Sequence, residues 1–418
     1  MRLLAALAVA ALPPVLTLRD ALRIFRERGF DLLLAQQQVT SAEGDLQAAA
    51  AVPNPSVSGS AGKSFDYVAS ACAGCSALQW SVGVSDQGAI FDLLVNKRGL
   101  RKDVARAALE AARLSRADAE RTLTLQLKQQ YLAGALASEQ ARFAREQLDA
   151  TARTRELMER RFGAGAISEA DLSRAQVAEL EAMQQLELAQ QQSAQAKAAV
   201  AFLLGAEEPA LQLELDAAAL EVRGALPVGT FDALYQQALQ NRPDLKSLDS
   251  QVQRAESAVS LARRQIFPDI QLSANYPQEG TGNAALQPPT LTFGASLPLP
   301  LFYQQQGETT KAEADLRSQQ IQRSKVRAQV AADVAQAFAA FSSGQKLVER
   351  MQGQMLHRAK TARDLVQVQY EKGAASLLEL LDAQRTYNAV HAEYVQDLSI
   401  YWTAVAQLEA AVGKELVQ

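Results

Sequence analysis

Residues 155–165 read RELMERRFGAG, and residues 363–373 read RDLVQVQYEKG. The two stretches lie 208 positions apart, and each ends on a glycine after a long segment without proline. Proline costs about 3 kcal/mol inside a helix, so its absence from 56–208 and from 304–418 predicts long helices. Each stretch is therefore predicted to be the end of one helix and the turn into the next.

The similarity continues on both sides of these stretches. Pro53 and Pro268, 215 positions apart, each precede an alternating segment, and Gly205 and Gly413, 208 apart, each follow a helical segment. A period far above the 20–50 residues of solenoid repeats indicates one duplication rather than an array. The predicted organisation is a signal peptide at 1–16, a first repeat at 17–209, a linker at 210–229 and a second repeat at 230–418.

Composition excludes several classes of function. A net charge of −4 and the lack of a basic stripe exclude nucleic acid as a partner. The low aromatic content of 6% and the abundance of Ala, Leu, Gln, Glu and Arg favour extended helices with narrow packing seams. No nucleophile motif, phosphate loop or zinc-binding motif is present, so we expect neither enzymatic activity nor a cofactor.

The first residues predict export. Met1-Arg2 precedes an apolar run over 3–18, and Ala8-Val9-Ala10 has the small-x-small pattern of a signal-peptide cleavage site. The alternative is an ordinary buried segment. No later run of 18 or more apolar residues exists, so no membrane-spanning helix is predicted.

The same order of elements is predicted twice. Residues 78–85 read LQWSVGVS, and this period of two indicates a strand with one apolar and one polar face. The first repeat is predicted as a helix at 17–51, strands at 57–63 and 78–85, and helices at 96–162 and 168–204. The second is predicted as a helix at 230–265 interrupted near 241–243, strands at 270–276 and 291–299, and helices at 304–372 and 376–412. The fold class is mainly α with a small β part.

Four strands cannot close a barrel, and open strand edges are not tolerated in lipid. If these strands span a membrane, the chain must oligomerise, with two copies giving eight strands and three giving twelve. Alternating faces suit a water-filled barrel, and Trp80, Tyr276, Phe293 and Phe302 are candidates for interfacial aromatics. The alternative is a soluble strand pair packed on the helices.

This layout resembles the TolC-type outer-membrane efflux family. The matching residues are the helical segment 18–32, Pro53-Asn54-Pro55, Tyr370-Glu-Lys-Gly373 and the stretch LLELLDAQR at 377–385. The resemblance implies a homotrimer whose α-barrel crosses the periplasm and whose shared 12-stranded β-barrel lies in the lipid of the Gram-negative outer membrane. It also implies a periplasmic adaptor and an inner-membrane pump as partners, with the turns at Gly163, Gly165 and Gly373 forming the adaptor-docking tip.

The resemblance further implies an acidic ring at the periplasmic entrance. The matching positions are Glu379 and Asp382, and Asp171 aligns with Glu379 in the first repeat. Like charges confined in a constriction raise some pKa values and attract cations. The alternative is a solvated acidic helix face.

The first repeat departs from this pattern, because Arg174 aligns with Asp382. Arg174 near Asp171 and Glu169 is expected to form salt bridges between protomers that hold the tip closed. Some relatives lock the entrance through an arginine two residues after the turn glycine, a position that Ala375 occupies here. Arg174 or Arg385 is the expected substitute.

Four further side chains are candidates for a disulfide or for a metal contact. Cys72 and Cys75 lie between the first two strands and are expected to form a small loop disulfide, rather than a redox or metal site. His357 and His391 stand at similar heights on the second hairpin, where Met351 or Met355 would complete a weak metal contact. The alternative is two solvent-facing histidines.

The main interpretation is a passive outer-membrane exit duct of a tripartite efflux system. The rivals are a soluble coiled-coil scaffold, a periplasmic adaptor of the same kind of pump, and an exit duct for type I protein secretion. Pro53-Asn54-Pro55 is similar to metal-efflux branches of the family, and metal ions and small organic toxins are the two expected substrate classes.

Overall fold

The computed structural model describes residues 12–63, 65, 77–207, 212–222, 229–279 and 290–416, and Cys72 and Cys75 lie outside them. The described elements confirm the predicted fold class, with long helices and few strands in the same order twice. A short strand, β1 (Val15–Leu16), lies ahead of the first predicted repeat, within the segment predicted as a signal peptide. The first predicted repeat contains α1 (Leu18–Arg28), α2 (Phe30–Ala50), β2 (Ser56–Lys63), β3 (Leu78–Ser85), α3 (Ala89–Leu94), α4 (Lys97–Gly163) and α5 (Glu169–Leu203). A second short strand, β4 (Glu214–Leu215), lies in the predicted linker, and the second predicted repeat contains α6 (Phe231–Asn241), α7 (Pro243–Arg264), β5 (Gln271–Glu279), β6 (Thr292–Ser296), α8 (Gln306–Arg350), α9 (Leu356–Glu371) and α10 (Leu377–Val412).

Two predicted helices are interrupted. The prediction of one helix over 17–51 is wrong, because α1 ends before Gly29. Gly29 caps α1 through a 2.8 Å hydrogen bond from its N–H to the carbonyl of Phe25. The helix predicted over 304–372 contains a π-helical turn, Met351–Met355, between α8 and α9. Neither break involves a proline, so the distribution of prolines gave no sign of them.

The predicted strands differ from the structure by more than one residue at two ends, and two short strands were not predicted. β5 continues through Pro277 to Glu279, although we predicted its end at Tyr276. Proline is tolerated there because β6 begins at Thr292, opposite Asn275, so within the described residues no strand pairs with Pro277 on that side. β6 is shorter than the predicted 291–299 and ends at Ser296, two residues before a proline. β1 and β4 pair in parallel over two residues, too few for a period in the sequence.

The described residues fall into two compact units. The first unit comprises Met1–Gln36, Arg116–Pro243 and Val326–Gln418, and its core includes the fully buried side chains of Tyr131 and Tyr401. The Tyr131 hydroxyl donates to the carbonyl of Leu16 at 2.7 Å and to that of Asp216 at 3.2 Å. One buried tyrosine therefore joins α4 to β1 and to the residue that follows β4.

The second unit comprises Gln37–Ser115 and Asp244–Lys325, and it contains an antiparallel sheet in the order β2-β3-β5-β6. On one face, a cross-strand row joins Val57, Val84, Ala274 and Phe293. On the other face, the rows consist of serine, glycine, threonine, glutamine, asparagine and one proline, and the row of Gln79 ends at Glu279. The apolar face is open, since Val57 is 74% and Phe293 77% exposed. Exposed apolar patches of this kind mark a surface that something else covers.

Helices long and apolar enough to cross a membrane do not occur within the described ranges.

Candidate functional site

The candidate site lies in the first unit, where two helical hairpins end. We call α4 and α5 the first hairpin, and α8, α9 and α10 with the π-helical turn the second hairpin. The turns centre on Gly165 (φ 71°) and Gly373 (φ 79°), both in the left-handed region that side chains avoid. After each glycine, the next N–H bonds back to the carbonyl five residues earlier, Ala166 to Arg161 and Ala374 to Gln369. This bond pattern is that of a Schellman motif. Gly163 is instead the last residue of α4.

Equivalent caps begin the two descending helices. The Ser168 hydroxyl accepts from the N–H of Asp171 at 3.2 Å, and the Ser376 hydroxyl accepts from the N–H of Glu379 at 3.2 Å. The Glu379 carboxylate in turn accepts from the N–H of Ser376 at 2.6 Å, which completes a capping box. These bonds hold the pKa of Glu379 below its usual value. The spacing S-x-x-E at 376–379 is a sequence signal for this cap, although Glu379 was predicted only as a member of an acidic ring.

Of the predicted salt-bridge residues, Arg174 forms an ion pair in the described chain. Arg174 Nη1 is 3.2 Å from Asp171 Oδ1 on the same helix. Glu169 is exposed in the first turn of α5. In the single chain, Arg174 therefore pairs within its own helix rather than across a protomer boundary. Asp382 and Arg385 lie on α10 without an ion pair among the described residues, and they face a groove together with Arg174.

This groove, of about 910 Å³, lies between α4, α5 and α10. Its walls carry many amide side chains, among them the buried Gln384 and the half-buried Asn388. The Asn388 Oδ1 atom is closed to solvent and has no hydrogen-bond partner in the described chain. Unsatisfied buried acceptors are uncommon in folded proteins. We call this surface the hairpin groove.

An apolar cluster joins the two hairpins next to the turns. Met158 of α4, Ala175 of α5, Tyr370 of α9 and Leu380 of α10 are buried in it. Ala375 packs against the same cluster. The position where some relatives have an arginine latch is therefore part of an apolar contact in this chain.

Tyr370 makes the polar contacts of that cluster. Its hydroxyl donates to the Met158 sulfur at 3.1 Å, and the Arg161 Cζ atom lies 5.0 Å from its ring centroid. Burial raises the pKa of the Tyr370 hydroxyl. Tyr370 belongs to the motif Tyr370-Glu-Lys-Gly373 that carries the family resemblance, but no role was predicted for its side chain. Its position three residues before the turn glycine was the available signal.

The two histidines are in different environments. The ring of His391 stacks on Phe143 of the first hairpin, with centroids 3.5 Å apart and planes at 3°, and burial lowers its pKa. His357 is exposed on α9. The part of the chain that the structure describes contains no group of three or more His, Cys, Asp or Glu side chains able to hold a metal ion. This arrangement therefore does not support the predicted metal contact between His357 and His391.

A sheet with one apolar and one polar face, combined with paired helical hairpins, defines the class of outer-membrane channel proteins that extend long helices beyond their strands. The chain belongs to the outer membrane efflux protein family, which matches residues 21–206 and 234–414. It is an outer-membrane efflux protein, as the sequence resemblance predicted.

Individual relatives agree with this assignment. The cobalt-zinc-cadmium resistance protein CzcC of Cupriavidus metallidurans is 24% identical over 96% of this chain and 90% of its own length. The pyoverdine export outer membrane protein OpmQ of Pseudomonas aeruginosa is 29% identical over 75% of this chain and 65% of its own length. Among solved structures, the CmeC outer membrane channel of Campylobacter jejuni has a TM-score of 0.78 at 16% identity, covering 96% of this chain and 87% of that one.

Proposed function

We propose that three copies of this chain form one passive exit duct, which receives its substrate from a periplasmic adaptor and an inner-membrane pump. The observation that carries the proposal is the two-faced sheet. Both of its edges, β2 and β6, are unpaired in the described chain, and its apolar face is exposed. Pairing β6 of one copy with β2 of the next removes the open edges, which lipid does not tolerate.

The hairpin tips supply the entrance of the duct in this proposal. The Tyr370 contacts and the apolar cluster hold the two hairpins together. A helical hairpin of the adaptor that docks in the hairpin groove would satisfy Asn388 and its neighbouring amides. Packed helical interfaces have discrete arrangements, so docking separates the hairpins and widens the entrance. Asp382, Asp171 and Glu379 form the proposed acidic ring.

Two substrate classes are proposed, divalent metal ions and small organic compounds. The names of the relatives support both, since one concerns cobalt, zinc and cadmium resistance and another pyoverdine export. Tolerance of a host lacking its own duct, measured separately for zinc and for an organic toxin, distinguishes them.

The assembly is tested by the native mass of the membrane-extracted protein in mild detergent. A particle of three 45.1 kDa chains in the outer-membrane fraction supports the duct. A detergent-independent soluble monomer or dimer would contradict it and favour the coiled-coil scaffold.

A further inference from the structure

Exposed apolar side chains continue beyond the sheet, on the two segments that lead from its strands into the long helices. In α3, which follows β3, the exposed side chains include Leu93 and Leu94. Between β6 and α8, Leu299, Leu301 and Phe302 are exposed, and Phe302 is 99% accessible. We call these five residues the apolar collar.

Charged groups of the same connections are turned inward. Asp92 of α3 is buried and pairs with Arg101. Lys97, at the start of α4, is also buried, and its Nζ atom lies 2.7 Å from Asp269 Oδ1. A surface that faces water normally exposes charged side chains and buries leucines. The reversed arrangement here is that of a surface facing an apolar medium.

The collar adjoins the apolar face of the sheet. The Asp86 carboxylate accepts from the N–H groups of both Leu272 and Ile90, so α3 begins beside the start of β5. In the other connection, the odd-numbered residues of 293–301 are all apolar, whereas the even-numbered ones are glycine, serine and proline. Since proline holds the residue before it extended, the apolar alternation of β6 continues past the end of the strand.

The apolar rows of the sheet are too short for a membrane by themselves. Within the described residues, these rows run from Leu272 to the pair of Trp80 and Gln278, and the next row contains Lys63. Six residues separate Leu272 from Gln278, which is about 20 Å along a strand and about 15 Å along the membrane normal at the usual tilt. The apolar band of a membrane-spanning sheet is about 25 Å tall. About 10 Å of apolar height is therefore missing.

We infer that the apolar collar lies among the lipid acyl chains of the periplasmic leaflet and supplies this height, an inference that rests on the proposed function, in which the sheet spans the outer membrane. In that function copies meet along β2 and β6, whereas α3 follows the inner strand β3. Edge pairing therefore does not cover Leu93 and Leu94, and lipid is their partner.

An arginine marks the boundary of the leaflet at the same end of the sheet. Arg264, in the last turn of α7, lies over the exposed ring of Phe267, with its Cζ atom 5.8 Å from the ring centroid. Aromatic rings settle at headgroup level, and an arginine beside them reaches toward lipid phosphates. The periplasmic boundary of the membrane thus lies at the starts of the long helices rather than at the ends of the strands.

The test places a bimane label on single cysteines of the full chain, in a Cys72→Ser, Cys75→Ser background, in vesicles of brominated phosphatidylcholine. Leu94→Cys probes the collar. Val57→Cys, on the exposed apolar face of the sheet, is the reference for lipid contact. Glu110→Cys is the reference for water, because Glu110 is exposed on α4, about 20 Å from the start of that helix at 1.5 Å per residue.

We expect loss of fluorescence and a blue shift of the emission at Leu94→Cys, as at Val57→Cys, and neither effect at Glu110→Cys. Quenching at Val57→Cys but not at Leu94→Cys overturns the inference and leaves the proposed duct intact. A label at Leu94→Cys that is shielded from both brominated lipid and aqueous iodide also overturns it, since protein then covers the collar. Equal quenching at Glu110→Cys would place the boundary elsewhere. The absence of quenching at both Leu94→Cys and Val57→Cys contradicts the membrane-spanning sheet, and with it the proposed function.

Discussion

Arg363 lies over the ring of Tyr387, with its Cζ atom 4.1 Å from the ring centroid. The positions 208 residues earlier are Arg155 and Glu179, whose Nε and Oε2 atoms are 2.6 Å apart. Both hairpins thus join ascending and descending helices through the same pair of positions, by a cation–π contact in one and an ion pair in the other. The duplication kept the site and changed its chemistry.

The two contacts should differ in their response to salt. Arg363 also forms an ion pair with Asp364, with Nη2 and Oδ1 2.5 Å apart, so Arg363→Met is made in an Asp364→Asn background. There it keeps an apolar stem and removes the cation from the ring, and we expect a loss of about 0.5–1 kcal/mol in unfolding free energy. Arg155→Met should destabilise the protein most at low salt, because screening weakens the wild-type ion pair as salt rises. Thermal unfolding followed by circular dichroism at low and high salt measures both. An identical salt response of the two variants would contradict this assignment.

Tyr370 is expected to hold the entrance closed. Tyr370→Ala opens a cavity in the cluster shared by the hairpins, at a cost of about 3–5 kcal/mol on the scale of aromatic-to-alanine substitutions. Single-channel conductance of the closed duct should therefore rise. Tyr370→Phe keeps the ring and loses the contacts of the hydroxyl with the Met158 sulfur and Arg161, so its conductance should stay near that of the wild type.

Phe162 provides a matched control for this prediction. It lies 208 positions before Tyr370 but is 41% exposed. Phe162→Ala should leave the closed conductance nearly unchanged. Equal leakage from Phe162→Ala and Tyr370→Ala would mean that the tip is held by general packing rather than by Tyr370.

The order of the elements and the positions of the two hairpins could be predicted from the sequence, but the contacts between the hairpins could not. The absence of proline and the 208-residue offset predicted both hairpins, since helix interiors exclude proline over long stretches. The contact between Tyr370 and Met158 joins residues 212 positions apart, and no local pattern records such a partner. The capping box at Ser376 and Glu379 is local and was readable, but the family resemblance drew attention to the charge of Glu379 instead of its spacing.

The acidic ring predicts block by multivalent cations. Asp382→Ala should weaken block of the channel by a trivalent cation, because Asp382 lines the groove without an ion pair in the described chain. Glu379→Ala should weaken it less, since the Glu379 carboxylate is already bonded to Ser376. Current recordings during titration with the cation measure both effects. Unchanged block in the double variant would refute the ring.

Glu379 should also make the second turn sensitive to acid. Its pKa is below the ordinary value of 4.5 because the Ser376 N–H and hydroxyl bind the charged form. A carboxyl whose folded pKa is lowered stabilises the fold above its unfolded pKa, and this contribution disappears as pH falls through the folded value. Unfolding measured from pH 7 downward should therefore show a smaller loss in Glu379→Gln than in the wild type. Parallel curves would contradict a role for the ionised cap.

Three glycines at the tips provide the sharpest test of the turns, because only two of them have positive φ. Gly165 and Gly373 have φ of 71° and 79°, and open space surrounds the position of a Cβ atom at both. Alanine at either position should therefore cost about 1–2 kcal/mol through backbone strain alone. Gly163 has equally open surroundings but ends α4 outside the left-handed region, so Gly163→Ala should stabilise the chain by about 0.5–1 kcal/mol. Denaturant unfolding of the three variants measures these signs. Destabilisation by Gly163→Ala as large as that of the other two would mean that the left-handed turn residue of the first hairpin is Gly163, two residues earlier than the structure has it.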